Sequence, residues 1–458
     1  MLDIEFIRKN PELIKTVVAA KQLAGVVDVD KLLALDAKRK QLLGEVEARR
    51  AERNKVSKEI PTLSAEKKQA AIAKMTELKE TMKSGEDELV KLEEEFKRLA
   101  TQIPNVYSED TPVGKDERGN KVLRTWGEPE KLSFKPKQEW ELGEALGILD
   151  EKTSAEISGS RFIYIKGDLA RLQFAVIQFV IDTLTSEKII AKLAKQVKNP
   201  SKKPFTFVLP PVFMRKDVMQ KMDRLEPAED RYVFEEDGLV LVGSAEHTLG
   251  PIYMDQVIDE AELPIRYLGY STAFRREAGA YGKDPRGLFR RHQFDKLEME
   301  SFATKEQGQK EQDLFVAVQE YIMQQLKIPY QVVLKCTGDM GKPDYRAIDI
   351  EAWLPGQGKY RETHTSDFMT DYQSRRLQTK YKTVKGEKEF VSMNDATAAA
   401  LSRTLVAILE NYQQEDGSVA IPKVLQKYMG KKVIKASKPV ISSEPKASRE
   451  IKNKKEKK

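Results

Sequence analysis

The sequence contains only one cysteine, three histidines and three tryptophans among its 458 residues. A single cysteine forms no internal disulfide, and it makes no zinc cluster with the three scattered histidines. Neither a Walker-type phosphate loop nor a glycine-rich dinucleotide fingerprint is present. We therefore predict a protein of the reducing cytoplasm whose nucleotide, if it binds one, is held by side chains rather than by a glycine-rich loop.

Long apolar runs are also missing. No stretch approaches the roughly 20 apolar residues that span a bilayer, and 33% of the residues are charged. The first residues, Met1-Leu2-Asp3-Ile4-Glu5, carry early acids and no apolar signal core, so we predict neither a leader peptide nor a membrane partner. The formal net charge of +7 is compatible with a polyanionic partner.

The N-terminal quarter has no proline from residue 31 to 60 or from 65 to 103. Apolar residues recur there at alternating spacings of three and four, which is typical of a heptad seam. Ile60-Pro61-Thr62-Leu63-Ser64 breaks the pattern and allows the chain to reverse. This predicts an antiparallel two-helix coiled coil over about residues 31–103, with each helix roughly 45 to 60 Å long.

Basic residues outnumber acidic ones around the predicted tip of this hairpin. Such a cluster can neutralise phosphates and gain from counterion release. A solvated coiled coil, or one that pairs with another protein, would carry similar charges. The candidate nucleic-acid contacts are Arg49, Arg50, Arg53, Lys55, Lys58, Lys67 and Lys68.

Between residues 110 and 429, helical stretches alternate with short β-rich segments that occur in clusters. Strands in clusters, rather than in a strict βαβ repeat, predict an α+β fold with a largely antiparallel sheet. Length alone predicts two to four domains. From residue 431 the chain is rich in lysine, with prolines and serines, and we predict a disordered basic tail.

The densest chemistry lies in two segments, Phe274 to Gly279 and Gly287 to Glu298, joined by a loop rich in glycine and proline. Alternation predicts two strands that pair antiparallel. Arginine binds phosphate or carboxylate oxygens bidentately and stays charged, so Arg275 and Arg290 are the leading anion clamps. The combination suits a nucleoside triphosphate together with a small zwitterion, although a surface hairpin with solvated charges has the same composition.

These segments resemble the second signature motif of class II aminoacyl-tRNA synthetases, in the form found in seryl-tRNA synthetases. Other motifs of that family follow in its order across nearly all of residues 1 to 430. They are Gly159-Ser160-Arg161-Phe162, Val208-Leu209-Pro210-Pro211, Asp349-Ile350-Glu351-Ala352-Trp353, Arg361-Glu362-Thr363-His364, Gln373-Ser374-Arg375-Arg376 and Thr397 to Asn411.

The resemblance implies roles for individual residues. Arg275 matches the arginine that holds the α-phosphate and the amino-acid carboxylate, and Glu277 matches the acid that accepts from the adenine amino group. Phe294 matches the ring that stacks on adenine, although an apolar strand residue commonly faces a core. Arg403 either closes a buried ion pair or meets a ligand, and the resemblance places it at the γ-phosphate. Together with Arg290, these residues would hold ATP.

For metal, Glu362 and Thr365 match the family pair that binds Mg²⁺, an ion that accepts oxygen ligands and keeps waters. The resemblance places Ser244, Glu246, Arg275, Glu298 and Thr397 around serine. A site that pairs a buried hydroxyl rejects analogues lacking it. Four residues depart from the family pattern: Ser244 replaces threonine but keeps the hydroxyl, Asp395 replaces asparagine, and Ala396 and Ala398 stand where several members have glycine. The extra charge of Asp395 either helps to hold the ammonium or disturbs the carboxylate.

By this resemblance, the expected enzyme is a serine–tRNA ligase that forms seryl-adenylate from ATP and transfers serine to tRNA(Ser), with tRNA(Sec) a further candidate. It would be a homodimer with a tRNA-binding domain at residues 1–108, a catalytic domain at 109–430 and the tail at 431–458. Two alternatives remain open at this point. One is a paralogue that activates an amino acid without charging tRNA, and the other is a noncatalytic RNA-binding homologue.

Overall fold

The computed structural model describes residues 1–436 except residues 279–283 and 285. The prediction of a disordered tail therefore concerns residues that lie almost wholly outside the described part of the chain. The helices are α1 Ile4–Lys9, α2 Pro11–Ala20, α3 Val29–Glu59, α4 Ala65–Ala100, α5 Glu139–Ala145, α6 Glu151–Ser158, α7 Gly167–Leu184, α8 Glu187–Gln196, α9 Lys216–Lys221, α10 Glu246–Leu249, α11 Gly308–Leu326, α12 Tyr372–Leu377, α13 Leu401–Asn411 and α14 Gln426–Met429.

The strands are short except in one central sheet. They are β1 Lys121–Trp126, β2 Leu149–Asp150, β3 Tyr164–Ile165, β4 Thr206–Val208, β5 Phe213–Arg215, β6 Val233–Phe234, β7 Leu239–Leu241, β8 Val257–Asp259, β9 Ile265–Phe274, β10 Gln293–Ala303, β11 Tyr330–Leu334, β12 Arg346–Leu354, β13 Lys359–Thr370, β14 Lys380–Lys382, β15 Lys388–Phe390, β16 Ser392–Ala400, β17 Val419–Ala420 and β18 Val433–Ile434.

Helices α3 and α4 form the predicted antiparallel hairpin. Asp28 caps α3 by accepting from the Lys31 amide at 2.8 Å, and Pro61 follows directly after its end. Seam residues Val46 and Met82 are buried. A Cβ at Gly85 would lie only 3.1 Å from Val46 Cγ2, so glycine permits the close approach of the helices there. This confirms the coiled-coil arm.

The base of the hairpin is anchored to the rest of the chain. Residues of α1, α2, α3 and the end of α4 form a hydrophobic cluster that also includes Tyr372 of α12. The Tyr372 hydroxyl donates to the Ile103 carbonyl at 2.7 Å. Lys21, which is buried, donates to the Asp344 carbonyl at 2.6 Å. These contacts fix the direction in which the arm leaves the body.

An eight-stranded sheet forms the body within the described residues, in the order β1-β11-β12-β13-β16-β10-β9-β4. Every neighbouring pair is antiparallel except β4 with β9. The predicted pairing of the two motif segments is confirmed, since Gln293 of β10 faces Phe274 of β9. The α+β class with a largely antiparallel sheet is therefore confirmed as well.

One face of the sheet packs against helices. Leu297 and Met299 of β10 and the alanines of β16 join α7, α11 and α13 in the largest hydrophobic core. A buried polar side chain on this side ties two strands together: Gln319 of α11 donates to the carbonyls of Thr365 and Thr397 at 2.8 and 2.9 Å. The opposite face of the central strands remains free to carry a cleft.

Past residue 430, Val433–Ile434 still pairs with Val419–Ala420, so ordered structure extends beyond the predicted domain boundary.

No helix in the described part of the chain combines the length and the apolar character that crossing a bilayer requires.

Candidate active site

A cleft opens on the free face of the sheet, over β10, β13 and β16. Alternation along β10 turns Phe294, Lys296 and Glu298 towards it, while Leu297 and Met299 face the core. Ten of the predicted site residues line the cleft: Glu246, Arg275, Glu277, Arg290, Phe294, Glu298, Glu362, Thr365, Thr397 and Arg403. Ser244 is buried beneath them, 3.2 Å from Lys296 Nζ through its Oγ.

Three arginines from three different elements form what we call the arginine wall: Arg275 after β9, Arg290 in the loop before β10, and Arg403 on α13. Arg275 Nε donates to the Gly243 carbonyl at 3.1 Å, and its guanidinium carbon lies 5.4 Å from the Phe294 ring centre. The ring therefore faces the cleft beside a cation, and not the core.

Arg403 combines the two alternatives that its sequence context left open. Its Nη1 donates to the Glu362 side chain at 2.6 Å and to the Glu362 carbonyl at 3.1 Å. Its guanidinium also lies 4.9 Å from the Phe289 ring centre, and 20% of its side chain remains exposed in the cleft. It is thus paired and still accessible to an anion.

Arg290 is oriented by two carboxylates, since Nη1 donates to Glu277 and Nε to Asp284, both at 3.1 Å. Arg361 donates to the same Asp284 carboxylate at 2.7 Å. Glu277 itself has a positive φ of 53°, which turns its side chain back towards Arg290. Arg290 and Arg403 of the wall are therefore held in place by acids before any ligand arrives, and Arg275 by a backbone carbonyl.

A β-bulge explains how β13 presents two oxygen-bearing side chains, Glu362 and Thr365, to the cleft. Glu351 of β12 faces Glu362 and Ile350 faces His364, so Thr363 is the extra residue. Residues three apart in a regular strand point to opposite faces, but the bulge returns Thr365 to the face that carries Glu362. Burial alone would raise the pKa of Glu362, yet the charges of Arg403 and Lys335 lower it to about 2.

Acidic groups gather at the inner end of the cleft, which we call the carboxyl end: Glu246, Glu298 and Asp395 have oxygens within 4.8 Å of one another. A bulge between β10 and β16 sets Thr397 opposite Glu298. Burial raises the pKa of Glu298 to about 7, although Lys296, which is ion-paired with it, opposes the rise. The carboxyl end is therefore a polar, water-poor pocket suited to a small cationic or hydroxyl-bearing group.

Lys296 and Arg224 are two cleft residues that the sequence prediction missed. Lys296 had a signal, because it lies between Phe294 and Glu298 at the two-residue spacing of one strand face. Arg224 had none: it follows the short helix α9 and reaches Asp395, which is 171 positions further along the chain.

The loop that carries Phe289 and Arg290 rests on a buried pair of carboxyl groups. Glu139 Oε1 accepts from the Leu288 amide at 3.0 Å, and Glu410 accepts from the amides of Glu139 and Gly356. A Cβ at Gly287 would lie 1.8 Å from Glu139 Oε1, and Gly287 has a φ of +75°. Glycine is thus required at this position.

We expect Gly287→Ala to lower the free energy of unfolding by about 2 to 5 kcal/mol, because a left-handed backbone and a steric overlap are combined. Gly147→Ala is the matched control, since Gly147 has a φ of +68° and a Cβ added there would meet no atom within 4 Å. It should cost only about 1 to 2 kcal/mol. Urea unfolding followed by circular dichroism measures both, and equal losses would contradict the overlap.

Burial, followed by the neighbouring Glu139 carboxyl, raises the pKa of Glu410 to about 8 from an ordinary value of 4.5. The folded protein thus holds a proton that the unfolded chain releases, so this group costs stability progressively as the pH rises from 4.5 towards 8. Glu410→Gln should therefore be stabilising relative to the parent at pH 8 and much less so at pH 5. Urea unfolding at pH 5, 6.5 and 8 tests this, and a constant difference between the two proteins would contradict it.

The antiparallel sheet and the arginine-lined cleft on its free face define the core of a class II aminoacyl-tRNA synthetase. Residues 232–412 match the model described as the tRNA synthetase class II core domain for G, H, P, S and T, and residues 1–107 match the seryl-tRNA synthetase N-terminal domain. A relative from Dictyoglomus thermophilum named serine--tRNA ligase is 40% identical, covering 96% of this chain and 100% of its own length.

Solved structures give the same result. A seryl-tRNA synthetase from Pyrococcus horikoshii, complexed with ATP, superposes with a TM-score of 0.87 at 36% identity, over 96% of this chain and 100% of that one. A cytoplasmic serine–tRNA ligase from Naegleria fowleri, in complex with AMP, has a TM-score of 0.81 at 31% identity, over 96% and 99%. The chain belongs to the seryl-tRNA synthetase family.

Proposed function

We propose that the cleft binds ATP and L-serine, joins them into seryl-adenylate, and then passes serine to the 3′-terminal ribose of tRNA(Ser). The observation that carries this proposal is one continuous cleft with arginines along its wall and carboxyl groups at its inner end. Arginines bind the phosphates of a nucleotide, and carboxyl groups bind the ammonium group of an amino acid. Charging of tRNA(Sec) is part of the same proposal.

In the first step, a serine carboxylate oxygen attacks the α-phosphorus of ATP. A bond forms between that oxygen and phosphorus, and the bond to the pyrophosphate oxygen breaks. Arg275 belongs to the arginine wall and also acts on the carboxyl end, since its charge lowers the pKa of both Glu362 and Glu246. From there it binds the α-phosphate and the serine carboxylate and stabilises the charge that develops on phosphorus. No side-chain nucleophile takes part.

Other residues that line the cleft supply the remaining contacts to the nucleotide. Phe294 stacks on adenine, and Glu277 accepts from the adenine amino group while it orients Arg290. Arg403 binds the γ-phosphate from α13. Glu362 and Thr365 offer one carboxylate and one hydroxyl, which fits Mg²⁺ because that ion completes its shell with waters and phosphate oxygens. When bound, the ion neutralises phosphate charge and orients the leaving pyrophosphate.

At the carboxyl end, Glu246 receives the serine ammonium, and Glu298 and Thr397 meet its hydroxyl. The Ser244 hydroxyl does not meet serine directly: it accepts a hydrogen bond from Lys296, which in turn pairs with Glu298. In the second step, the ribose hydroxyl of tRNA attacks the serine carbonyl, and AMP leaves. The protein supplies position, charge and exclusion of water in both steps.

We further propose that the hairpin arm binds tRNA, and that the chain acts as a homodimer in the cytoplasm. The basic residues at the tip differ in availability. Arg49 donates to the Thr81 carbonyl at 3.3 Å and Arg50 pairs with Glu86 at 2.7 Å. Among the described residues, Lys55, Lys58, Lys67 and Lys68 are exposed, and their side chains make no ion pair or hydrogen bond. These four lysines are the best candidates for phosphate contacts.

Replacing all four lysines with alanine should weaken tRNA binding and reduce the slope of log K against log salt concentration by about 3 to 4. Serine-dependent exchange of pyrophosphate into ATP should not change, because that reaction requires no tRNA. Replacing Lys79, Lys83, Lys91 and Lys97, which lie on α4 nearer the body, is the charge-matched control. An equal effect of both sets would contradict a contact at the tip.

The function is tested by ATP–pyrophosphate exchange with each of the twenty amino acids, followed by charging of a tRNA(Ser) transcript. We expect exchange with serine and charging of that tRNA. Exchange without charging would identify a paralogue that activates an amino acid for another acceptor. The absence of both activities would contradict the proposal.

A further inference from the structure

Arg224 lies at the carboxyl end of the cleft, bridging two of its acids. Its Nε is 2.9 Å from Glu246 Oε1, and its Nη2 donates to Asp395 Oδ2 at 2.8 Å. The side chain is 15% exposed and lines the cleft. One guanidinium thus fixes a carboxyl group on α10 relative to another on β16.

The crowding of acids here requires such a cation. Three carboxyl groups lie within 4.8 Å of one another, and like charges so close together favour uptake of a proton by at least one of them. Lys296 is committed to Glu298 and Ser244. Arg224 lies within ion-pair distance of Glu246 and supports its charge.

The pKa shifts of Glu246 and Asp395 agree with a role for Arg224 as the cation that supports the charge of Glu246. Burial alone would raise the pKa of Glu246, but the charge of Arg224, followed by that of Lys296, lowers it to about 2. Burial and the Glu246 carboxylate raise the pKa of Asp395, and Arg224 opposes that rise. Arg224 therefore favours the charged form of Glu246, while Asp395 accepts a hydrogen bond from the guanidinium.

We propose that Arg224 is a positioning residue for amino-acid recognition: it keeps Glu246 ionised and fixed as the acceptor of the substrate ammonium, and Asp395 anchors the other edge of the guanidinium. This inference rests on the proposed function, because it takes Glu246 as the ammonium site. It also assigns a role to Asp395, whose carboxyl acts through Arg224 and not directly on the substrate.

The test is a double-mutant cycle of Arg224→Gln, Asp395→Asn and both together, assayed by serine-dependent exchange at saturating ATP. Arg224→Gln should raise the KM for serine by about 30-fold or more and change the KM for ATP by less than about threefold. Asp395→Asn should raise the KM for serine by about three- to tenfold, since asparagine still accepts one hydrogen bond. The double variant should be no worse than Arg224→Gln within about threefold, because Asp395 loses its role once Arg224 is gone.

Two further variants separate positioning from a general structural role. Arg224→Lys retains the charge but lacks the planar fork whose separate nitrogens reach the two acids, so its KM for serine should fall between those of the parent and Arg224→Gln. Arg124→Gln, which removes a pair with Glu320 at the sheet edge, should leave both KM values unchanged. If Arg224→Gln does not fold, Asp395→Asn is decisive. A KM for serine raised about three- to tenfold supports the inference, and an unchanged KM for serine overturns it.

An unchanged KM for serine in Arg224→Gln, multiplicative effects in the double variant, or equal changes in both KM values would overturn this inference. None of these results would affect the proposed function, which fails only if the parent protein shows no serine-dependent exchange and no charging.

Discussion

Replacing Arg275 with glutamine is expected to lower kcat for serine-dependent ATP–pyrophosphate exchange by about 10²- to 10³-fold. In the proposed mechanism its guanidinium meets the charge that develops on the α-phosphate, and the loss of one such preorganised donor has a cost of this size. Its Nε is already held by the Gly243 carbonyl at 3.1 Å, so the parent side chain needs little reorganisation. Steady-state exchange at saturating ATP and serine measures kcat directly.

Arg276 provides a matched control for this variant. It is the next residue, but it is exposed, does not line the cleft, and lies with its guanidinium carbon 5.3 Å from the Tyr232 ring centre. Arg276→Gln should therefore change kcat by less than about threefold. A fall of similar size in both variants would indicate loss of a loop structure, and the assignment of Arg275 to the transition state would then be wrong.

The architecture was accessible from the sequence because local patterns determine it. The heptad seam around Val46 and Met82 predicted the hairpin, and period-two alternation predicted the pairing of β9 with β10. Pro61 marked the reversal between α3 and α4. Each of these signals depends only on residues close together in the chain.

The cleft was predictable in part, for a related physical reason. Phe294 and Glu298 share a strand face, and the same spacing would have revealed Lys296. The bulge at Thr363, which brings Thr365 to the face of Glu362, depends on the register with β12 and has no signature within its own strand.

Contacts between distant segments were not predictable at all. Arg224 meets Glu246 and Asp395 only because α9, α10 and β16 converge at the carboxyl end. The charge of Asp395 was visible in the sequence, but its consequence depended on a partner that no local pattern indicates. Long-range ion pairs of this kind decide the specificity of a pocket while leaving the fold unchanged.

Replacing Glu298 with alanine is expected to reduce the preference for serine over alanine, in kcat/KM for exchange, by about 10²- to 10³-fold. A site that pairs a buried substrate hydroxyl rejects an analogue without it by about 10⁴ to 10⁵, because its own polar groups would remain unpaired. Glu298 is 1% exposed, lies opposite Thr397 of the neighbouring strand β16 and is ion-paired with Lys296. Most of the change should therefore appear as a loss of kcat/KM for serine.

Two neighbouring substitutions make this expectation specific. Glu298→Gln keeps one acceptor oxygen and should lose less discrimination than Glu298→Ala. Glu300→Gln is the matched control: Glu300 is fully buried two residues further along the same strand face, is absent from the cleft lining, and has its pKa raised by burial and by Asp395. Burial thus favours the uncharged form of its carboxyl group, and the uncharged amide should leave discrimination unchanged. If Glu300→Gln relaxes specificity as much as Glu298→Ala, the serine hydroxyl is recognised by the charge of the whole acidic cluster and not by Glu298.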